Sequence, residues 1–90
     1  MRYIVFVKRD CPFCVKAEEA LVLQNAEHEI VDLQDYQDLL EEYKRIYRWD
    51  TVPMAFVENT SDVSKLGSYE LIGGSDDLIN HLEREHESGR

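Results

Sequence analysis

Cys11-Pro12-Phe13-Cys14, which lies between an apolar run and an amphipathic segment, is the stretch of this 90-residue chain that decides its fold. It contains the only two cysteines of the sequence. One turn of helix would bring both sulfurs to the same end, with the first at the helix N-terminus, where unpaired N–H groups and the helix dipole favour a thiolate. A thiolate is the nucleophile of disulfide exchange, and a second thiol one turn along can resolve the mixed disulfide. We therefore interpret the motif as a reversible redox site.

The same cysteine spacing also occurs in metal sites, so half of a zinc knuckle is the first alternative. Two cysteines cannot supply four thiolates, although His81 and His86 have the mutual spacing of zinc-finger ligands and would complete a mixed site. Most of the chain separates Cys14 from these two histidines, whereas roughly a dozen residues separate the cysteine pair from the histidine pair of a zinc finger. Pro12 presets φ for a first helical turn, which favours a strand-to-helix junction. We expect redox chemistry and no metal, and a structural metal site and inert thiols stay as alternatives.

The composition is that of an ordinary globular protein, with 43% hydrophobic and 32% charged residues, and the length suits one domain over residues 1–90. The net charge of −9 argues against nucleic-acid binding, which needs a basic surface. No apolar stretch approaches membrane-spanning length, and the N-terminal run is too short for a signal peptide. We therefore expect a cytoplasmic monomer with no nucleic-acid or membrane partner, where a Cys-x-x-Cys motif is more often catalytic than structural.

The acidic residues are concentrated on the predicted helices, where they form solvated faces. Lys8, Arg9 and Lys16 are the local exception, since these three cations flank the cysteines. We expect them to make the redox end of the molecule less negative than the rest.

Hydrophobic periodicity divides the chain into segments in the order βαβαββα. In chain order, these predicted segments cover residues 3–7, 12 to about 25, 28–33, 36–47, 54–58, 69–72 and a last helix opened by Ser75, Asp76 and Asp77. This order gives a parallel first strand pair and an antiparallel last pair. The sequence therefore predicts an α/β fold in which a four-stranded mixed sheet is flanked by three helices.

Apolar spacing also predicts which faces of the helices are buried. On the first helix these positions are Val15, Ala17, Leu21 and Val22. On the second helix they are Tyr36, Leu39, Leu40, Tyr43, Ile46 and Tyr47, with Asp35 as a candidate N-cap. The run over residues 3–7 is typical of a strand buried on both faces. We expect Trp49 to be a packing residue near the third strand and assign no catalytic role to the histidines.

Further motifs accompany the cysteines in a fixed order: Lys8 three residues before Cys11, then Thr51-Val52-Pro53, then Gly73-Gly74-Ser75-Asp76-Asp77. Together with Cys11-Pro12-Phe13-Cys14, which is close to Cys-Pro-Tyr-Cys, they make the chain resemble the dithiol glutaredoxins, a family of the thioredoxin-fold superfamily. The resemblance extends over nearly the whole chain and implies a thioredoxin-like fold.

The resemblance implies a glutathione-binding groove beside Cys11. Pro53 would follow a cis peptide bond, and the backbone of Thr51 and Val52 would pair with glutathione as an added strand. Gly73 and Gly74 would let the backbone approach the ligand closely.

The same resemblance assigns the charged and aromatic contacts of glutathione. N–H groups near Ser75 and Asp76 would donate to the γ-glutamyl carboxylate, and Asp77 would meet the γ-glutamyl ammonium. Lys8 would face the glycine carboxylate as a point charge. Phe13 would cover one wall of the groove, because it keeps the aromatic surface of the family's usual tyrosine while lacking the hydroxyl.

The chain departs from the family pattern at three places. The helix before Thr51 ends in Tyr47-Arg48-Trp49-Asp50 rather than in a turn containing glycine. Leu40 occupies the position of a glutamine that helps to hold the glycine carboxylate in many relatives, and Arg48 and Gln37 are the candidate substitutes. The loop over residues 59–67 is longer than the usual tight turn, which we interpret as a tolerated surface insertion.

We therefore expect a glutathione-dependent thiol–disulfide oxidoreductase. Cys11 would attack a protein disulfide or a glutathione mixed disulfide, Cys14 would resolve the protein intermediate, and glutathione, a co-substrate rather than a bound cofactor, would restore the dithiol. The implied partners are glutathione and disulfide-containing or glutathionylated proteins, with ribonucleotide reductase an expectation at the level of the family. Two alternatives stay open: a thioredoxin-like reductant recharged by a thioredoxin reductase, and an iron–sulfur cluster carrier assisted by glutathione.

Overall fold

The structure is a computed structural model that describes residues 2–59, 64 and 67–88, with side chains as far as residue 85. Within these residues the elements follow the predicted order βαβαββα, and their boundaries differ from the predicted ones by one or two residues. They are β1 (Arg2–Val7), α1 (Pro12–Leu23), β2 (Glu27–Asp32), α2 (Gln37–Tyr47), β3 (Met54–Glu58), β4 (Tyr69–Gly73) and α3 (Ser75–Ser88). Most of the long loop over residues 59–67 lies outside the described residues.

The strands form one four-stranded mixed sheet, as predicted, and their order in it is β2-β1-β3-β4. β1 runs parallel to β2, which places Val7 opposite Asp32 at the ends of the two strands. β3 runs antiparallel to both β1 and β4, so its first residues lie beside the last residues of each neighbour, Phe6 with Met54 and Ala55 with Gly73. Four chain segments therefore meet at one edge of the sheet, and the cysteine motif is among them.

Two apolar clusters cover the two faces of the sheet, because side chains of β1 alternate between them. The first face carries α1 and α3; its cluster includes Tyr3, Val5, Val7, Ala17, Leu21, Leu78 and Leu82. The second face carries α2; its cluster includes Leu33, Leu40, Met54 and Phe56. Ile4 and Phe6 of β1 pack against this second cluster, so β1 is covered on both sides, as predicted. Each fully buried leucine contributes roughly 1.5–3 kcal/mol by leaving water.

The predicted buried face of α1 is only half right. Ala17 and Leu21 are completely buried, but Val15 and Val22 are 55% and 62% exposed. The residues of α1 that are buried are Cys14, Ala17 and Leu21, which share one side of the helix. The helix is apolar on two sides, and the sheet and α3 cover only one of them. Periodicity alone did not reveal which side that would be.

The apolar stripe of α2 is likewise wider than the surface it covers. Leu40 is fully buried and Tyr43 packs against the same cluster, whereas Leu39 and Ile46 are largely exposed. Tyr36, also predicted to be buried, is 63% exposed. The N-cap prediction for Asp35 is wrong, since Tyr36 occupies the cap position with no side-chain cap bond and Asp35 pairs with Arg9 instead.

Helix α2 ends in a left-handed residue, a conformation that glycine adopts without strain. Arg48 takes φ 55° and ψ 47°, a region where a Cβ is crowded. The turn is closed by a hydrogen bond from the Trp49 N–H to the Lys44 carbonyl at 2.9 Å. Arg48 thus adopts the conformation of the missing glycine and leads the chain into the segment before β3.

Replacing Arg48 by glycine should raise the free energy of unfolding by up to about 1 kcal/mol, because glycine accepts positive φ without the crowding of a Cβ. Replacing it by valine should lower that free energy by about 1 kcal/mol or more, because a β-branched side chain is strongly disfavoured at this φ. Urea denaturation followed by the fluorescence of Trp49, the only tryptophan, measures both changes. Equal stabilities for the two variants would contradict the role assigned to the turn.

No helix in the described part of the chain is both long enough and apolar enough to cross a membrane.

Candidate active site

The first cysteine lies at the start of α1, where the sequence placed it. Cys11 is the N-cap residue, with extended backbone angles of φ −115° and ψ 103°. Its sulfur accepts a hydrogen bond from the Cys14 N–H at 3.3 Å, and its carbonyl accepts from the Val15 N–H at 3.1 Å. A partly exposed sulfur that faces the free N–H groups of a helix is well placed to carry negative charge. This geometry fits a nucleophile.

The second cysteine has the opposite environment. Cys14 is 5% exposed and packs in the first core cluster. Burial, acting most strongly, raises the pKa of Cys14 to about 12; the hydrogen bond with Cys11 adds to the increase, and the Lys8 backbone N–H opposes it. Cys14 is therefore a protonated thiol at neutral pH. The two sulfurs are chemically distinct although they are only three residues apart.

The segment before β3 brings a proline to the same edge. The Val52–Pro53 peptide bond is cis, as the family resemblance implied. Pro53 is fully buried, while Thr51 is exposed. Val52 is partly buried and packs against the cluster that contains Cys14. Cys11 packs against that cluster too, so the predicted backbone segment and the first cysteine share one patch of the core.

The end of β4 and the start of α3 complete this edge. Gly73 has φ 136°, and a Cβ added there would collide with the side chain of Asp77. The Gly74 N–H donates to an Asp77 carboxylate oxygen at 3.0 Å, which is one half of a capping box and fixes the first turn of α3. Gly73 is therefore required by the close approach of Asp77, whose carboxylate is exposed but already accepts one hydrogen bond. Ser75 is buried beside it, whereas Asp76 is exposed.

The cations around the cysteines are not equally available. Arg9 pairs with Asp32 at 3.1 Å and with Asp35, and Lys16 pairs with Asp76 at 3.2 Å. Lys8 makes no ion pair with any described carboxylate. Arg9 and Lys16 thus offset nearby carboxylates, whereas Lys8 remains available for an anionic ligand; that this end is less negative than the rest stays a prediction.

Arg9 forms a polar network that the sequence analysis missed. Its backbone N–H donates to the Gln34 side chain at 3.2 Å, and its guanidinium bonds Asp32 and Asp35. A backbone hydrogen bond from Gln34, helped by Arg9, lowers the pKa of Asp32. The network ties the turn before Cys11, where Asp10 has φ 55°, to the turn after β2. The only signal in the sequence was two aspartates at the end of a strand predicted to lie parallel to β1.

Replacing Arg9 by alanine should slow the alkylation of Cys11 by iodoacetamide at pH 7 severalfold. The variant loses the cation of Arg9, two residues before Cys11 in the sequence, and leaves Asp32 and Asp35 uncompensated. Both changes disfavour a thiolate at Cys11. The matched control is Arg2→Ala, because Arg2 bridges the same two strands at their other end through Glu27 and Glu29. Equal alkylation rates for the two variants would show that the network does not act on the site.

The position of the family glutamine is not part of this site. Leu40 is fully buried under the second face of the sheet. Gln37, one candidate substitute, donates its amide to the backbone carbonyls of Gln34 at 2.7 Å and Leu33 at 3.4 Å. Arg48, the other candidate, is exposed and makes no ion pair among the described residues. Arg48 is therefore the better placed of the two to meet a carboxylate.

Trp49 packs against the second cluster, as predicted, and also lies behind the glycine pair. Its ring carbon Cζ2 is 3.6 Å from the point where a Cβ of Gly74 would be. Its indole N–H is buried and has no hydrogen-bond partner among the described residues.

The histidines lie away from the cysteines. His81 packs edge-on against Tyr3 with ring centroids 5.6 Å apart, at the start of β1, whereas Cys11 follows the end of that strand. His28 bonds the Ala26 carbonyl at 2.7 Å. The side chain of His86 lies outside the described residues. Among those that are described, no group of three or more His, Cys, Asp and Glu side chains could hold a metal ion, so the zinc alternative gains no support.

Comparisons with known proteins agree with this geometry. A model of the glutaredoxin family matches residues 3–61. The chain is also 31% identical over 84 residues to glutaredoxin 1 of Rickettsia prowazekii, an alignment that covers 91% of this chain and 77% of that protein. The chain belongs to the glutaredoxin family. It is a thiol–disulfide oxidoreductase.

Solved glutaredoxin structures share the fold. The solution structure of a glutaredoxin from Brucella melitensis matches with a TM-score of 0.69 and 25% identity, over 99% of this chain and 85% of the other. A dithiolic glutaredoxin from Trypanosoma brucei brucei matches with a TM-score of 0.68 and 26% identity, over 93% and 78% of the two chains. The predicted thioredoxin-like fold is thus confirmed.

Proposed function

We propose that this glutaredoxin is a glutathione-dependent dithiol oxidoreductase that reduces protein disulfides and glutathione mixed disulfides. The observation that carries the proposal is the asymmetry of the two sulfurs. Cys11 is partly exposed and accepts an N–H bond at a helix N-terminus, whereas Cys14 is buried and its pKa is raised to about 12. Such a pair separates the attacking thiolate from the resolving thiol.

With a glutathione mixed disulfide, one cysteine is enough. The Cys11 thiolate attacks the glutathione sulfur, the disulfide bond breaks, and the protein thiolate leaves and takes a proton from water. Cys11 is then bonded to glutathione. A second glutathione thiolate attacks that sulfur, which releases oxidised glutathione and restores the Cys11 thiolate. Only the second glutathione is oxidised in this cycle, because the first entered as half of the substrate disulfide.

With a protein disulfide, the buried thiol takes part. Cys11 attacks one sulfur of the substrate, and the other sulfur leaves as a thiolate. Part of what raises the pKa of Cys14 is its hydrogen bond with Cys11 and the charge on that sulfur. Burial, the largest cause, persists, but both of these influences end once Cys11 is bonded to the substrate. Cys14 then passes its proton to the departing substrate thiolate, attacks Cys11 and releases the reduced protein. Two glutathiones reduce the Cys11–Cys14 disulfide and leave as oxidised glutathione.

The groove proposed for glutathione lies at the edge of the sheet beside Cys11. Its proposed residues are Lys8, Phe13, Thr51, Val52, Pro53, Gly73, Gly74, Ser75, Asp76 and Asp77. Support comes from Lys8, whose ammonium pairs with no carboxylate in the described part of the chain, and from Phe13, which is 60% exposed and offers its ring to a ligand. For Asp76 the proposed contact with the ligand is made by the backbone N–H, because its carboxylate is paired with Lys16.

Glutathione acts as co-substrate in this proposal, and no bound cofactor is needed. The protein partners proposed are disulfide-containing or glutathionylated proteins in the cytoplasm, where glutathione keeps a dithiol reduced. Ribonucleotide reductase is one candidate among them, and the protein would act as a monomer.

Replacing the two cysteines should give unequal results. Cys11→Ser should abolish all activity, because the only activated nucleophile is lost. Cys14→Ser should keep deglutathionylation, in which glutathione resolves the intermediate, while losing efficient reduction of protein disulfides. Assays of a glutathionylated peptide and of a protein disulfide, run side by side, separate the two. Equal loss of deglutathionylation in both variants would overturn the division of labour.

Lys8→Ala and Asp77→Asn should each lower glutathione-dependent kcat/KM by about tenfold or more, because each removes a hydrogen-bonded charge from the groove. Asparagine keeps an oxygen for the Gly74 N–H, so the cap of α3 survives. The control is Arg45→Ala, which removes an exposed cation from α2. The hydroxyethyl-disulfide assay with glutathione and glutathione reductase provides the measurement. Wild-type kinetics in both groove variants would place glutathione elsewhere.

One observation favours a second candidate function, that of a thioredoxin-like reductant recharged by a thioredoxin reductase. Leu40 is buried and cannot replace the glutamine that many relatives use for glutathione. The same hydroxyethyl-disulfide assay, with a thioredoxin reductase and no glutathione, distinguishes the two reductants. A visible spectrum of anaerobically purified protein tests the iron–sulfur alternative.

A further inference from the structure

The outer side of α1 carries apolar residues that the fold does not use. Val15, Val22 and Leu23 are 55%, 62% and 84% exposed. With Glu18 and Glu19 they line a shallow groove of about 470 Å³, which we call the α1 outer surface. The two valines were predicted to be buried, so the folded chain leaves their hydrophobicity unexplained.

Neither packing nor helix formation accounts for them. The opposite side of α1 already provides the buried residues, Cys14, Ala17 and Leu21. Valine is a poorer helix former than alanine, glutamate or lysine, so at exposed positions Val15 and Val22 weaken the helix slightly. A contiguous exposed apolar surface on a small protein is typical of an interaction site.

The α1 outer surface begins next to the nucleophile. The Val15 N–H bonds the carbonyl of Cys11 at 3.1 Å, so Val15 lies one turn into the helix that Cys11 caps. Val22 follows seven residues later on the same side, about 10 Å further along the axis at the usual rise per residue. A protein whose disulfide meets Cys11 would therefore have its neighbouring residues within reach of this surface.

The charges of the surface select the partner. Glu18 and Glu19 lie between the apolar residues and make no ion pair with any described cation. Lys16, the cation of α1, is held by Asp76. A second copy of this chain would bring a net charge of −9 and meet like charge, so self-association is disfavoured. Lysine or arginine side chains that alternate with apolar ones would match both features.

We propose that the α1 outer surface docks a basic, apolar segment that flanks the target disulfide of a protein substrate. The inference rests on the proposed function, since it names a class of substrate for the same dithiol. Docking strengthens binding of protein substrates and leaves small disulfides unaffected, because these do not reach beyond Cys11. The contribution of Glu18 and Glu19 weakens as salt rises.

The test uses two disulfide peptides that differ only beside the disulfide, one flanked by alternating leucine and lysine and the other by alternating serine and glutamate. Prereduced protein is mixed with each peptide in single turnovers at low salt, so that no glutathione is needed. We expect the wild type to react about tenfold faster, in second-order rate, with the leucine–lysine peptide. That preference should shrink as salt is raised.

Two double variants separate the contributions of hydrophobicity and charge. Val22→Ser with Leu23→Ser, and Glu18→Gln with Glu19→Gln, should each remove most of the preference, and the glutamine pair should also abolish its salt dependence. Ile46→Ser is the control, because Ile46 is 57% exposed on α2, across the sheet. Thermal melts verify that each variant is folded, and hydroxyethyl-disulfide turnover should be unchanged in all of them.

Three outcomes would overturn the inference: a wild type with no preference between the peptides, double variants that keep the preference, or a dimer in sedimentation that the serine variant abolishes. Failure of the proposed function appears separately, as a wild type that cannot turn over hydroxyethyl disulfide with glutathione. The single-turnover preference is measured without glutathione, so it is independent of that result.

Discussion

The pairing of β1 with a parallel neighbour on one side and an antiparallel neighbour on the other organises this molecule. Parallel pairing ends β1 and β2 at the same edge, and antiparallel pairing starts β3 there. The end of β4 joins them through its pairing with β3. The cysteine turn, the cis-proline segment and the glycine pair are thus neighbours because of strand direction, although they are far apart in sequence.

The placement of the cysteines on this edge produces their difference in reactivity. Cys11 caps α1 where the helix leaves the sheet, so its sulfur faces free N–H groups and solvent. Cys14, one turn later, turns toward the core and is desolvated. Burial favours the neutral thiol, whereas the helix terminus favours a charged sulfur. A single turn of helix at a boundary between core and solvent therefore yields two thiols with different chemistry.

Ion pairs at the same edge occupy two of its three cations. Arg9 pairs with Asp32 at the end of β2 and with Asp35 in the turn after it, and Lys16 pairs with Asp76 in the first turn of α3. Lys8 keeps its ammonium free among the described residues, so it is the one of these three cations that a carboxylate has not already paired there. The pairs also hold the turns in place, which couples the electrostatics of the site to the arrangement of its loops.

The sequence by itself determined the order of the elements, the parallel first strand pair, the antiparallel last pair and the redox motif. Hydrophobic period and turn residues are local properties, and the motif needs only a strand followed by a helix. Only the tertiary structure decided that Val15 and Val22 are exposed, because burial depends on how many layers cover a helix. It also decided that Arg9 belongs to Asp32 and Asp35, because that pairing requires two turns to meet across parallel strands. Local sequence patterns predict neither how many layers cover a helix nor which turns meet.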